Sequence, residues 1–389
     1  MEYDLPELLH VPDGLAEAPL PVFDAPPAQE ELFARLHLIR CRRVGPATWR
    51  RLVGEYGSAR AALAALPDIA AQAGDAKYTL SATGQIRAEI AAARKAGARL
   101  LTLGAPGYPA ALADVADAPP VLWAQGKADM LARPAIALVG TRNASSLALR
   151  MARALGRDLA AMGYIIVSGL ARGVDAVAHE AALAGGTIAV HAGGLDQIYP
   201  EENRDLGHKI ATEGCALSER PFGLSPQARD FPRRNRIVSG LSLGVVVVEA
   251  AARSGTMLTA RNAIDQGRDV MAVPGHPLDT RASGCNMLLR DGATLIRSAE
   301  DIAEVVGGLC PAPTAMPEGG VATDPPPSDA DLRARILGAL SPVPVDEDQV
   351  IRDLLGADGP PHHVLSAHLS ELELTGQIRR APGGGLVRV

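Results

Sequence analysis

Three short segments carry the residue types best suited to gripping a ligand: Gly140-Thr141-Arg142, Ser168-Gly169-Leu170-Ala171-Arg172-Gly173 and Ser254-Gly255-Thr256. A glycine lets a backbone approach a phosphate closely, a Ser or Thr hydroxyl adds a hydrogen bond, and an arginine supplies charge on a planar fork. Each segment alone also suits ordinary turn chemistry. A fourth segment, Arg229-Asp230-Phe231-Pro232-Arg233-Arg234-Asn235-Arg236, gathers four arginines and one phenylalanine in a chain whose formal net charge is −6. Guanidinium groups on phosphates, with Phe231 stacking a base for about 1–3 kcal/mol, suit a nucleic-acid strand. A solvated helix start with Phe231 as a hydrophobic staple fits the same residues.

Asp175, His179, Glu180 and Glu249 are the groups an enzymatic role could use. Asp175 and His179 stand four apart, where Asp175 favours a helix N-terminus and pairs with His179 for about 0.3–1 kcal/mol. No G-x-x-x-x-G-K-[ST], H-E-x-x-H or G-x-G-x-x-G pattern is present, which removes the usual support for ATPase, zinc-protease and NAD-enzyme readings. Cys41, Cys215, Cys285 and Cys310 form no C-x-x-C pair, so no disulfide framework, metal site or cofactor is expected. Gly193-Gly194-Leu195-Asp196 with Tyr199-Pro200 and Asn203 either shapes the same pocket or turns the chain. Aromatic residues are 3% of the chain, so phosphate contact should dominate over stacking.

These segments need a frame that brings them together. Between Arg133 and Gly307, short apolar runs alternate with helical ones, the pattern of a Rossmann-like, doubly wound, mostly parallel α/β sheet. Candidate strands are Ile136–Val139, Tyr164–Val167, Ile188–His191, Val245–Val248, Val270–Val273 and Thr294–Ile296, with helices such as Leu147–Met162, Val174–Leu183 and Thr256–Gln266 between them. In such sheets ligands settle beyond the carboxyl ends of the strands, where helix N-termini favour anions. The loop segments all fall there. Leu100 to Gln125 is expected to extend one edge of the sheet.

Around this core (99–308), the chain divides into an irregular, proline-bearing arm (1–29), a small helical domain (30–98), a proline-rich linker (309–328) and a winged helix (329–389). In the helical domain Leu32, Leu36 and Ile39 share a face, and a Val44-Gly45-Pro46 turn precedes a helix that stops at Tyr56-Gly57-Ser58. That turn resembles a helix-hairpin-helix or SAM-like module, whose amides can meet a phosphate; a tight αα turn needs the same glycine. At the other end, Asp331–Leu340, Val345–Leu355 and His362–Thr375 read as three helices before a small hairpin, and Glu371 and Glu373 on the third suit a protein contact as well as DNA. No stretch approaches 18 apolar residues and the start is acidic, so a cytoplasmic protein without membrane contact is expected.

The motifs Ser168-Gly169-Leu170-Ala171-Arg172-Gly173-Val174-Asp175, Gly194-Leu195-Asp196 with Tyr199-Pro200, Ser218-Glu219, Phe231-Pro232-Arg233-Arg234-Asn235-Arg236-Ile237, Ser254-Gly255-Thr256 and Val273-Pro274-Gly275 occur in the order found in the DNA-processing protein A family, also called Smf. The chain resembles that family over about 99–304. The resemblance implies a non-catalytic mediator that binds incoming single-stranded DNA in natural transformation, forms a homodimer through the core, and helps load the RecA recombinase. It implies DNA contacts from Arg142, the Ser168–Gly173 loop and Arg233–Arg236. His191-Ala192-Gly193-Gly194 departs from the usual cysteine or glycine pattern of the third-strand loop. The competing reading is a nucleoside-monophosphate hydrolase akin to the LOG or lysine-decarboxylase-like proteins, with Glu249 acting beside an arginine. Their Pro-Gly-Gly-x-Gly-Thr-x-x-Glu loop is replaced here by Val248-Glu249-Ala250-Ala251-Ala252-Arg253-Ser254-Gly255-Thr256.

Overall fold

The computed structural model describes residues 28–307, 332–333, 336–337, 362–381 and 385–388. They fall in two compact units, 1–314 and 315–389. The expected arm up to residue 27, the linker 309–328 and the helix expected over 345–355 lie outside the described residues.

The first unit opens with helices α1 (Gln29–Arg40), α2 (Pro46–Tyr56), α3 (Ala59–Gln72) and α4 (Thr83–Lys95). Pro46 begins α2, where its missing N–H costs nothing, and Gly57 ends it at φ 75°, the left-handed conformation glycine tolerates. The Ser58 hydroxyl then caps α3 by accepting from the Ala61 N–H. Leu36 and Ile39 of the expected face pack together, and burial extends around α1 from Ala34 to Leu38. Leu38 packs on Trp49, Leu52 and Val53, whereas Leu36 joins Val121 and Trp123 of the adjoining sheet. Two polar clamps fix that junction. Buried Arg35 donates to the Thr102 hydroxyl and the Leu103 carbonyl, and Glu89 accepts from Arg40 and from Trp123 Nε1, each at 2.7 Å.

The sheet has nine strands among the described residues: β1 (Arg99–Thr102), β2 (Val121–Gly126), β3 (Ala135–Val139), β4 (Ile165–Ser168), β5 (Thr187–Val190), β6 (Cys215–Ser218), β7 (Gly244–Val247), β8 (Asp269–Ala272) and β9 (Thr294–Leu295). Their order is β1-β2-β6-β5-β4-β3-β7-β8-β9, antiparallel at β1-β2-β6 and parallel elsewhere. The expected strands lie within two residues of those found, β6 is additional, and Leu100–Gln125 supplies the expected edge. Central strands are covered on both faces, which is why they read as unbroken Val, Ile and Ala.

The connecting helices are α5 (Ala110–Ala113), α6 (Ser146–Ala161), α7 (Val174–Ala182), α8 (Arg204–Glu213), α9 (Asp230–Gly240), α10 (Gly255–Asp265), α11 (Ser283–Arg290) and α12 (Ala299–Val305). Helices α6, α7 and α12 build one apolar layer with Ile136, Leu138 and Ile166, while α9, α10 and α11 build the other with Val139, Val167 and Val245. From β3 the chain winds through β4 and β5 to β6, then returns across the sheet to β7 on the other side of β3. That reversal opens a crevice beyond the carboxyl end of β3.

In the second unit, α13 (His362–Leu374) packs Leu365, Leu369 and Leu372 against Ile378 and Leu386 of an antiparallel hairpin, β10 (Ile378–Arg380) with β11 (Leu386–Arg388). This is the helix-and-wing part of the expected winged helix.

Candidate functional site

A cleft of about 390 Å³ occupies the reversal point. Gly140, Thr141 and Arg142 enter it after β3, Gly169 after β4, and Ser254, Gly255 and Thr256 at the start of α10, while Phe231, Arg234 and Asn235 close it from the first turns of α9. The fold therefore brings all four expected segments to one place. It does so through close backbone approaches. A Cβ at Gly173, whose φ is 76°, would collide with the Thr141 and Arg142 carbonyls, and a Cβ at Gly140 would overlap Val174.

The segments contribute unequally. Arg142 is exposed and its guanidinium lies 5.3 Å over the Phe231 ring, a cation–π contact. The Thr256 hydroxyl donates to the Gly140 carbonyl at 3.0 Å, tying the β3 and β7 loops together. Ser254 Oγ is buried and has no hydrogen-bond partner among the described residues, at the point where the first amides of α10 are free of intrahelical bonds. An acceptor-rich anion suits that position.

The other expected residues stand apart from the cleft opening. The Ser168 hydroxyl is fully buried and donates to the Leu138 carbonyl, so it joins strands and does not face the cleft. Arg234 is buried beneath the cleft and donates to the carbonyls of Gly169 and Val190. Arg236 turns to the sheet edge, where it bonds the Asp117 carbonyl and Glu219. Arg172 pairs with Glu202 on the surface, and Arg233 is exposed but does not line the cleft. The physical reason for the α9 set is rotation: at about 100° per residue, neighbouring arginines on a helix point in different directions.

Asp175 and His179 are likewise not a pair. Asp175 accepts the N–H groups of Gly169 (3.1 Å) and Ala171 (3.4 Å), and His179 Nε2 accepts that of Leu170 (3.3 Å) while Nδ1 meets the Thr187 hydroxyl at 2.7 Å. They hold the loop in shape, including Leu170 at φ 55°, a conformation unfavourable outside glycine. Burial pushes the Asp175 pKa up, against the pull of Arg234 and the loop amides; burial also lowers Arg234 to about 10, with Asp175 opposing. Burial and nearby positive charge lower His179 to about 3 and His191 to about 4, so both are neutral imidazoles. Glu249 spends one carboxylate oxygen on the Ser145 amide (2.9 Å) and the other on its hydroxyl (2.6 Å).

Tyr199 has a larger place than its sequence position suggests. It is 51% exposed and its ring lies 5.5 Å from that of Phe231, tilted by 59°. The sequence places Tyr199 only in a loop that either shapes the pocket or turns the chain, and the scarcity of aromatic residues, 3% of the chain, is the signal that marks it. The Gly193-Gly194 loop shapes this edge: Gly194 donates to the Leu224 carbonyl, and Asp196 accepts from Gly223.

Comparison with known proteins gives this geometry relatives. The model of the DNA recombination-mediator protein A family matches residues 99–307, a DprA-like N-terminal HHH domain matches 29–92, and a DprA winged helix domain matches 321–384. Protein Smf of Escherichia coli is 40% identical over 286 residues, covering 71% of this chain and 74% of its own. DNA processing protein DprA of Bacillus subtilis is 42% identical over 218 residues, covering 55% and 73%. The structure of Streptococcus pneumoniae DprA superposes with a TM-score of 0.58 at 33% identity, over 70% of this chain and 95% of that one. DNA processing protein A from Helicobacter pylori, whose structure was described for its single-stranded DNA binding mode, gives 0.50 at 32%, over 54% and 95%. The chain belongs to the DNA recombination-mediator protein A family.

Proposed function

We propose that the cleft holds the sugar-phosphate chain of single-stranded DNA without sequence choice, and that the protein is a non-catalytic recombination mediator. The observation that carries this reading is the cleft's composition. It combines an exposed arginine over an aromatic ring, a serine hydroxyl at a helix N-terminus without a partner among the described residues, and glycines that keep the walls close. Phosphate contact from Arg142, Ser254 and the α10 amides supplies affinity, and Phe231 with Tyr199 offers faces for a base. Gly140, Thr141, Gly169, Asn235, Gly255 and Thr256 line the strand's path. In the cell this protein would act in the cytoplasm as a homodimer through the core, taking up incoming DNA in transformation and loading the RecA recombinase on it. On this reading the chain divides into modules at 30–98, 99–308 and 329–389, with the strand on the core module.

The hydrolase reading has less support. The acids that it needs are spent on the scaffold, Glu249 on Ser145 and Asp175 on the Ser168–Gly173 loop. Release of free base from a nucleoside monophosphate, lost in Glu249→Gln, would restore it.

Fluorescence anisotropy of a labelled single strand and its duplex, at several salt concentrations, tests the mediator reading. The log-log salt slope changes by about 0.7 for each phosphate that a cation neutralises on a single strand. Arg142→Ala should flatten it by about 0.7, whereas Phe231→Leu should weaken binding by about 1–3 kcal/mol and leave the slope alone. Salt-independent affinity, or equal preference for duplex, would overturn the reading.

A further inference from the structure

Arg150, Arg153 and Arg157 lie on α6, and none of them is engaged by the cleft. At 3.6 residues per turn they fall within an arc of about 60°, opposite the buried face formed by Ala148, Ala152, Leu155 and Leu159. All three are exposed. The helix holds one acid, Asp158, which pairs with Arg157 at 2.8 Å. Among the described residues no acid lies within ion-pair distance of Arg150 or Arg153, in a chain of net charge −6.

The helix that carries the stripe is anchored beside the cleft. It is capped by Ser145, three residues after Arg142, and the Ser145 hydroxyl accepts from the Ala148 N–H and bonds Glu249 beyond β7. Hydrogen bonds through Ser145 thereby tie the helix start to Glu249. The arginines follow at rises of about 4.5 and 6 Å along the axis. Such a row of guanidinium forks suits successive phosphates of one strand.

We propose that the outward face of α6 continues the strand's path, so that single-stranded DNA leaving the cleft passes its phosphates along Arg150, Arg153 and Arg157. This rests on the cleft being the DNA site. The binding site is then longer than the cleft, and strands that only fill the cleft do not feel the stripe.

The test compares wild type with an Arg150→Ala/Arg153→Ala/Arg157→Ala variant on oligothymidylates of about 5 and about 20 nucleotides, across a salt series. Alanine on an exposed helix face favours the helix, so the fold is retained. With the long strand, loss of two to three phosphate contacts should flatten the log-log slope by about 1.4–2.1. With the short strand, affinity and slope should match wild type. An unchanged slope on the long strand overturns the proposal. An equal loss on both strands also overturns it, because the arginines would then act on the cleft through the general field of the protein. If wild type binds neither strand, the cleft reading fails first and this one with it.

Discussion

Arg234 enters the fold as a charge with 7% of its surface exposed, so its lost hydration must be replaced by protein dipoles. The carbonyls of Gly169 and Val190 and the carboxylate of Asp175 do this, and the arginine in turn fixes the loop whose amides Asp175 holds. Gly169 is where that arrangement is tightest, because a Cβ there would overlap the Arg234 guanidinium. Gly255, also on the cleft, has open space where its Cβ would stand. The two glycines therefore make an internal contrast. Gly169→Ala should destabilise the protein by about 1–3 kcal/mol through overpacking and lower DNA affinity with it, while Gly255→Ala should stay within about 0.5 kcal/mol of wild type. Urea denaturation of the two variants checks this, and equal stability would show that Arg234 can be moved at no cost.

At the scale of elements, Glu249 is the link between β7 and α6, through both atoms of its carboxylate. Glu249→Ala would strand the Ser145 amide and hydroxyl, at a cost of about 1–3 kcal/mol, and loosen the loop that carries Arg142. Faster amide exchange over residues 141–148, with weaker DNA binding, is the expected result. Unchanged exchange there would mean that Ser145 finds its partners elsewhere. The parallel strands were legible because a strand buried on both faces must be apolar throughout, as in Ile136-Ala137-Leu138-Val139 and Gly244-Val245-Val246-Val247. β6 was not, since Cys215-Ala216-Leu217-Ser218 has neither β-branched residues nor alternation. The loops around the cleft were legible for the same topological reason that puts ligands at strand ends. What a list of residues could not give was direction. In α9 one turn of helix sends Arg233 to solvent, Arg234 under the cleft and Arg236 to Glu219, so a cluster in sequence becomes three separate roles.

At the scale of the whole molecule, the floor beneath the cleft joins β4, β5, α7 and α9 through groups whose protonation is tied to folding. His179 accepts the Leu170 N–H at Nε2, which assigns its own proton to Nδ1 and the Thr187 hydroxyl; a second proton would set N–H against N–H. His191 is buried nearby, and burial with Arg234 keeps it neutral down to about 4, as His179 is kept down to about 3. The unfolded chain protonates its histidines near 6.5. Between these values the unfolded state binds more protons, so the stability these residues contribute is fully present above about pH 6.5 and is lost as pH falls toward 4. A folded pKa lying one pH unit below the unfolded one corresponds to about 1.4 kcal/mol, which gives a loss on the order of 3 kcal/mol per histidine by pH 4. Asp175, with its pKa raised by burial, acts in the opposite sense and offsets part of the loss. Urea midpoints at pH 7, 5.5 and 4.5 should therefore fall steeply for wild type and less steeply for His191→Gln, which keeps a polar side chain but cannot titrate. Parallel curves for the two proteins would remove His191 from the account, and a flat wild-type curve would show that the floor tolerates charged imidazoles.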